Sequence, residues 1–193
     1  MKYKSFLFTL LFALSFASYA EPKNLTEEML TVTDKSGNEF YLCMDKDEVI
    51  EKLGEPDKIS FTTDYPNDKY NFAIMEYSAG ITFNYRKGFE KISFIDIKSS
   101  DYYVSKNKIK INMNKDDVQK IYGGNPAFTN VYKNPYMNNI ETLRLVYDTN
   151  DQKIISNDMD PEDKEGCSYS IRFYFNNETK ELMCFDLLLN TVL

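Results

Sequence analysis

From Leu42 onward the apolar positions follow helical and then strand spacing, and the same succession is written twice. Met44-Asp45-Lys46-Asp47-Glu48-Val49 corresponds to Met113-Asn114-Lys115-Asp116-Asp117-Val118 at an offset of 69, with Leu42 matching Ile111. Leu53-Gly54-Glu55-Pro56 corresponds to Tyr122-Gly123-Gly124-Asn125-Pro126 with one residue inserted. Ile81-Thr82-Phe83-Asn84-Tyr85 then matches Ile171-Arg172-Phe173-Tyr174-Phe175 at an offset of 90, as Ile92, Asp96 and Ile97 match Leu182, Asp186 and Leu187. Two ordered blocks at constant offsets predict an internal repeat. The growth of the offset from 69 to 90 gives the second copy 21 extra residues, placed near 148–167.

Each copy opens with the same helix signal. Asp45 and Asn114 stand at N-cap positions, Glu48 and Asp117 follow three residues later, and Met44/Val49 and Met113/Val118 have hydrophobic-staple spacing. Gly54 and Gly123 end the helices after about nine residues, and Pro56 and Pro126 prevent their resumption. Helices this short must dock on other structure. Runs at 58–62, 70–77, 80–86 and 90–97, and again at 127–132, 140–147, 168–175 and 181–189, have strand character. Small hairpins, 29–34 with 38–43 and 101–104 with 108–112, precede the helices.

Simple alternation places Ile81, Phe83, Tyr85, Ile92 and Phe94 on one buried face, with Ile171, Phe173, Phe175, Leu182 and Cys184 as their counterparts. The opposite face is mostly polar in the first copy (Thr82, Asn84, Ser93, Ile95). In the second it carries Arg172, Tyr174, Met183, Phe185 and Leu187, a composition typical of interaction surfaces. Arg172, Tyr174, Met183 and Phe185 are therefore the candidate binding residues, unless the other copy or the 148–167 segment covers them.

Composition narrows the chemistry. The chain has 193 residues, with 15 Tyr, 14 Phe and no His or Trp, and a net charge of −7. So many aromatics can support a core, and the acidic balance argues against a nucleic-acid partner. Absence of His removes imidazole catalysis and most zinc sites, and no Ser-x-x-Lys motif stands at a convincing helix start. No metal or cofactor is expected, and the chain reads as a non-enzyme. The segment 148–167 holds seven acids against two lysines. Asp158, Asp160 and Glu162 alternate like calcium-loop ligands, but Asp163 replaces the required Gly and Tyr169 the final Glu, so a solvated loop is the simpler reading. Asp96 and Asp186 occupy equivalent positions at the far end of the core-facing register.

Residues 1–20 read as a cleaved export signal: Lys2 and Lys4, an apolar run from Phe6 to Ala17, then Ser18-Tyr19-Ala20. Cleavage after Ala20 takes the net charge from −7 to −9, and no later stretch is apolar enough to span a bilayer. The product is expected to be periplasmic or secreted. Cys184, set opposite Ile171 by alternation, is out of disulfide reach of Cys167, and pairing of Cys43 is left open.

The stretch Met44 to Pro56, echoed by Met113 to Pro126 and followed by antiparallel sheet, resembles the SmpA/OmlA lipoproteins of outer-membrane barrel assembly. It also resembles the β-lactamase inhibitor proteins that carry this unit in tandem. That resemblance implies an α+β protein of two tandem helix-plus-four-stranded antiparallel units, 21–98 and 99–193, forming one curved sheet with short helices on one face. It implies a non-enzymatic protein-binding role. The inhibitors' acidic hairpin residue has no counterpart in Ser78-Ala79-Gly80, and no lipid-bearing Cys follows the leader. The function expected is an exported module binding a protein or peptide ligand. The alternatives are an envelope scaffold, or a secreted hydrolase using carboxylates of 148–167.

Overall fold

A computed structural model describes residues 30–62, 71–86, 88, 90–122, 132–133, 140–148, 153–155 and 168–190. The chain begins there with β1 (Thr31–Asp34) and β2 (Glu39–Tyr41), followed by α1 (Lys46–Leu53). Then come β3 (Lys58–Phe61), β4 (Phe72–Tyr77), β5 (Ile81–Arg86) and β6 (Ile92–Ile97). Next are β7 (Tyr102–Val104), β8 (Ile109–Lys110), α2 (Lys115–Ile121) and β9 (Tyr132–Lys133). β10 (Ile140–Asp148), β11 (Lys153–Ile155), β12 (Ser168–Asn176) and β13 (Leu182–Asn190) complete the order.

The strands form two sheets. The smaller runs β2-β1-β7-β8; the larger has nine strands, β11-β10-β12-β13-β6-β5-β4-β3, with β9 also on β10. This corrects the expected α+β class of two tandem helix-plus-four-stranded units in one curved sheet. The molecule is mostly β, with helices of only eight and seven residues among the described elements. The short hairpins before the helices combine, through Val32 opposite Val104, into a sheet of their own. Apolar burial explains this second sheet: Val32, Phe40, Tyr102, Val104 and Ile109 are all buried. Phe40 meets Phe83 of the large sheet at 5.5 Å between ring centroids.

One buried cluster joins both sheets and both helices, including Val49 and Val118, each with no exposed surface. The two helix starts share a hydrogen-bond pattern. Cys43 N–H donates to the Ile92 carbonyl (2.7 Å) and Asn112 N–H to that of Leu182 (2.8 Å). Ile92 N–H returns to Met44 and Leu182 N–H to Met113, both at 2.9 Å. Cys43 and Asn112 both have positive φ, 69° and 72°, an unfavourable backbone state that these paired bonds hold in place.

The caps differ. Asn114 accepts a bond from Asp116 N–H, whereas Asp45 makes no side-chain cap bond and pairs with Lys91 at 2.7 Å. Gly54 ends α1 with φ 80°, as its position predicted; Gly123 and Pro126 lie outside the described residues.

At the start of α2, buried Glu141 on β10 receives Lys115 and, at 3.4 Å, Lys180. Burial pushes its carboxyl up, but the two lysines prevail and hold it below its ordinary value of 4.5. A depressed acid stabilises the fold above its unfolded pKa, and that contribution disappears as pH falls through the folded value. Glu141→Gln should therefore cost roughly 3 kcal/mol at neutral pH. In urea titrations the difference from wild type should shrink below pH 4.5; a difference independent of pH would refute the triad's role. Separately, Gly80 has φ +85°, and a Cβ there would stand 2.7 Å from the Ser99 Cβ. Gly80→Ala should lower stability by roughly 2–3 kcal/mol, against about 1 for Gly37→Ala, which has open space, as read by thermal unfolding.

Candidate functional site

Two β-bulges decide which residues reach the outer face of the large sheet. In the β12–β13 ladder Tyr174 faces Cys184 but Phe175 faces Leu182, so Met183 is an extra residue. In the β5–β6 ladder Asn84 faces Phe94 but Tyr85 faces Ile92, so Ser93 is extra. One inserted residue reverses the face of every side chain beyond it.

The simple alternation therefore needs correction on both strands. Phe185 and Leu187 belong to the core, where Phe185 stacks on Phe173 at 5.9 Å, while Cys184 moves to the outer face. Likewise Ile95 is buried and Phe94 turns outward. Cys184 faces Tyr174 rather than Ile171. Of the four candidate binding residues, Arg172 and Tyr174 share the outer face, Met183 is exposed at the bulge, and Phe185 lies beneath in the core. The signal was present in the spacing: apolar residues at 92, 95 and 97, and at 182, 185 and 187, are separated by three and then two.

The outer face carries a polar rung that sequence reasoning missed. Cross-strand partners run Arg144, Arg172, Asp186, Asp96, Thr82, Glu76 and Lys58 across seven strands. Asp96 and Asp186, expected on the core-facing register, are instead direct neighbours on this face. Such a like-charge pair is destabilising unless countercharged. Arg172 supplies a two-pronged bond to Asp186, Nε at 2.7 Å and Nη2 at 2.8 Å, and the Tyr174 hydroxyl donates to the same carboxylate at 2.8 Å. Lys98 pairs with Asp96 at 2.6 Å. The Arg172 guanidinium also lies 5.9 Å from the centroid of the Tyr174 ring.

The pKa shifts on this face follow from burial and from the charges the rung brings together. Burial pushes the Asp186 carboxyl up, Arg172 and Tyr174 oppose that push, and the neighbouring Asp96 charge adds to it. The Cys184 thiol is raised to about 11 by burial, with Asp96 and Asp186 adding and Lys98 opposing, so it stays protonated at neutral pH and is a poor nucleophile. The Tyr174 phenol is likewise raised, first by burial and then by Asp186. Both Asp186 oxygens are occupied by donors. Cys43 and Cys184 are free thiols. Among the described residues, no three His, Cys, Asp or Glu side chains group to hold a metal. Cys167, the export signal and most of the acidic 148–167 segment lie outside the described residues.

No family model matches the chain, and no curated protein matches it. Solved structures that resemble it include two bacterial proteins. One is an extracellular protein containing an SCP domain from Bacillus anthracis str. Ames, 17% identical, with a TM-score of 0.42. The other is a cysteine-rich secretory protein from Staphylococcus aureus subsp. aureus Mu50, 13% identical, with a TM-score of 0.41. Each comparison covers 77% of this chain and 44% of the other, so the chain spans less than half the length of either protein. These findings correct the resemblance to SmpA/OmlA lipoproteins and β-lactamase inhibitor proteins, which neither structure is. At such TM-scores the likeness carries nothing about activity or partner. No helix among the described residues is long and apolar enough to cross a membrane.

The clamp makes a quantitative prediction. Asp186→Ala strands the Arg172 guanidinium on a half-covered face and should cost roughly 3 kcal/mol. Tyr174→Phe removes one bond to the carboxylate and should cost about 1 kcal/mol. Equal losses for the two variants in urea denaturation would show that the arginine is not held by Asp186.

Proposed function

We propose that the chain is an exported, non-enzymatic module that binds a protein or peptide ligand on the outer face of the large sheet. Arg172 and Tyr174 form its centre and Met183 its exposed margin; Phe185 supports the strand from the core side. The observation that supports this reading most directly is the fixed Arg172–Asp186–Tyr174 unit. A guanidinium held by two bonds, beside an aromatic ring, loses little freedom when a ligand arrives. Arg, Tyr and Met are the residue types that concentrate binding energy at interfaces. Export follows from the leader at residues 1–20, with its basic start, apolar run and small residues before Ala20.

A non-catalytic role agrees with the chemistry of this face, where the thiol is protonated and the buried carboxylate is fully engaged. The test uses Met183→Glu and Tyr174→Ala in protein captured from its own envelope and medium. Met183 is 44% exposed, so the glutamate should leave the melting temperature unchanged. A partner retained by wild type should be weakened about tenfold or more by each substitution. Equal retention by well-folded variants would remove this face as the site.

A further inference from the structure

Among the described residues the large sheet ends at β3, and there its backbone and side chains point to a second docking feature. Thr62 N–H donates to the Phe72 carbonyl at 2.9 Å, which makes Thr62–Phe72 a hydrogen-bonded pair of the antiparallel ladder. Alternation then makes Ser60–Ile74 and Lys58–Glu76 the other such pairs. The intervening residues, Ile59 and Phe61, aim their N–H and C=O groups away from β4, toward the open edge. That edge thus offers two donors and two acceptors.

The same two residues expose their side chains. Phe61 is 58% and Ile59 46% exposed, among the few large apolar residues so placed in the described chain. They stand opposite Ala73 and Met75, both fully buried, so they continue the core face of the sheet to its margin. An exposed apolar edge strand is a template for strand addition.

Charge selects the occupant. Lys58 is neutralised by Glu76 at 2.7 Å, whereas Glu55 and Asp57, just before the strand, are exposed. Asp57 accepts the Ser78 N–H at 2.6 Å, and that backbone bond lowers its pKa, so it remains ionised. A second copy would bring the same acids and the same negative net charge, −7 for the full sequence and −9 without residues 1–20. We propose that the open edge of β3 pairs with an extended cationic peptide segment of a partner protein, one with apolar residues at alternate positions and basic residues at its ends. Such a strand would bond to Ile59 and Phe61, lay its apolar side chains beside theirs, and meet Glu55 and Asp57 with its basic end. This edge lies five strands from β12, ~24 Å from Arg172 and Tyr174, so it stands or falls separately from the outer face.

The probe is a fluorescein-labelled nonapeptide, Lys-Lys-Val-Thr-Val-Thr-Val-Lys-Lys, and the readout is fluorescence polarisation. Phe61→Pro deletes an outward N–H and leaves the bonds to β4 in place, as proline on an edge permits. It should weaken binding about tenfold, as should replacing the four peptide lysines by glutamates. Ile59→Lys keeps the backbone intact and provides the same test should the proline variant not fold. The proposal fails if the nonapeptide shows no measurable binding, or binds wild type, Phe61→Pro and Ile59→Lys alike. It fails also if the glutamate peptide binds as well as the lysine peptide. A dimer seen by sedimentation in wild type and lost in Phe61→Pro would assign the edge to a second copy and overturn the cationic partner.

Discussion

The ladder between β6 and β13 holds the large sheet together. Four residue pairs, from Phe94–Leu188 to Ile97–Phe185, join the strands of the first half to those of the second. On the buried side this ladder is apolar, with Ile95 beside Leu187 and Ile97 beside Phe185. On the outer side it brings Asp96 against Asp186. The hydrophobic side favours the pairing, and the charged side opposes it unless both carboxylates are countered. Arg172 with Tyr174 on one flank and Lys98 on the other supply that compensation. The candidate binding face is therefore also a condition of sheet assembly.

The bulges explain how a continuous sheet coexists with two docked helices. Pairing of β6 with β13 begins only at Phe94, after the bulge. Before it, the free side of Ile92 exchanges backbone bonds with Cys43 and Met44 at the start of α1. Leu182 does the same with Asn112 and Met113 at α2. In each strand the residue before the bulge anchors a helix start, and the extra residue turns the remainder so that apolar residues at 95, 97, 185 and 187 reach the core. The positive φ values of Cys43 and Asn112 are held by this exchange.

The electrostatics separate structural acids from available ones. Glu141 and Asp186 are both buried and both paired, yet they shift in opposite directions. Two lysines outweigh burial at Glu141, whereas burial outweighs one arginine and a phenol at Asp186, where Asp96 adds repulsion. Glu55 and Asp57, by contrast, are exposed to solvent.

Local signals in the sequence determined the helix starts and the end of α1, because the Asn114 cap, the staple spacing and the glycine at 54 act within a few residues. Strand positions along β4, β5, β12 and β13 were legible for the same reason, as was the placement of Arg172 and Tyr174 on the outer face and the exposure of Met183. Alternation failed at one residue in each hairpin, and that misplaced Phe185, Leu187, Cys184, Phe94 and Ile95 together, since a period of two has no tolerance for an insertion. Only the tertiary structure decided that β1 pairs with β7 to make a second sheet, that Asp96 meets Asp186, and that β3 is the last strand of the large sheet among the described residues. Those outcomes depend on which distant strands become neighbours, and local propensity does not encode neighbours far apart in the chain; burial of the shared apolar face does.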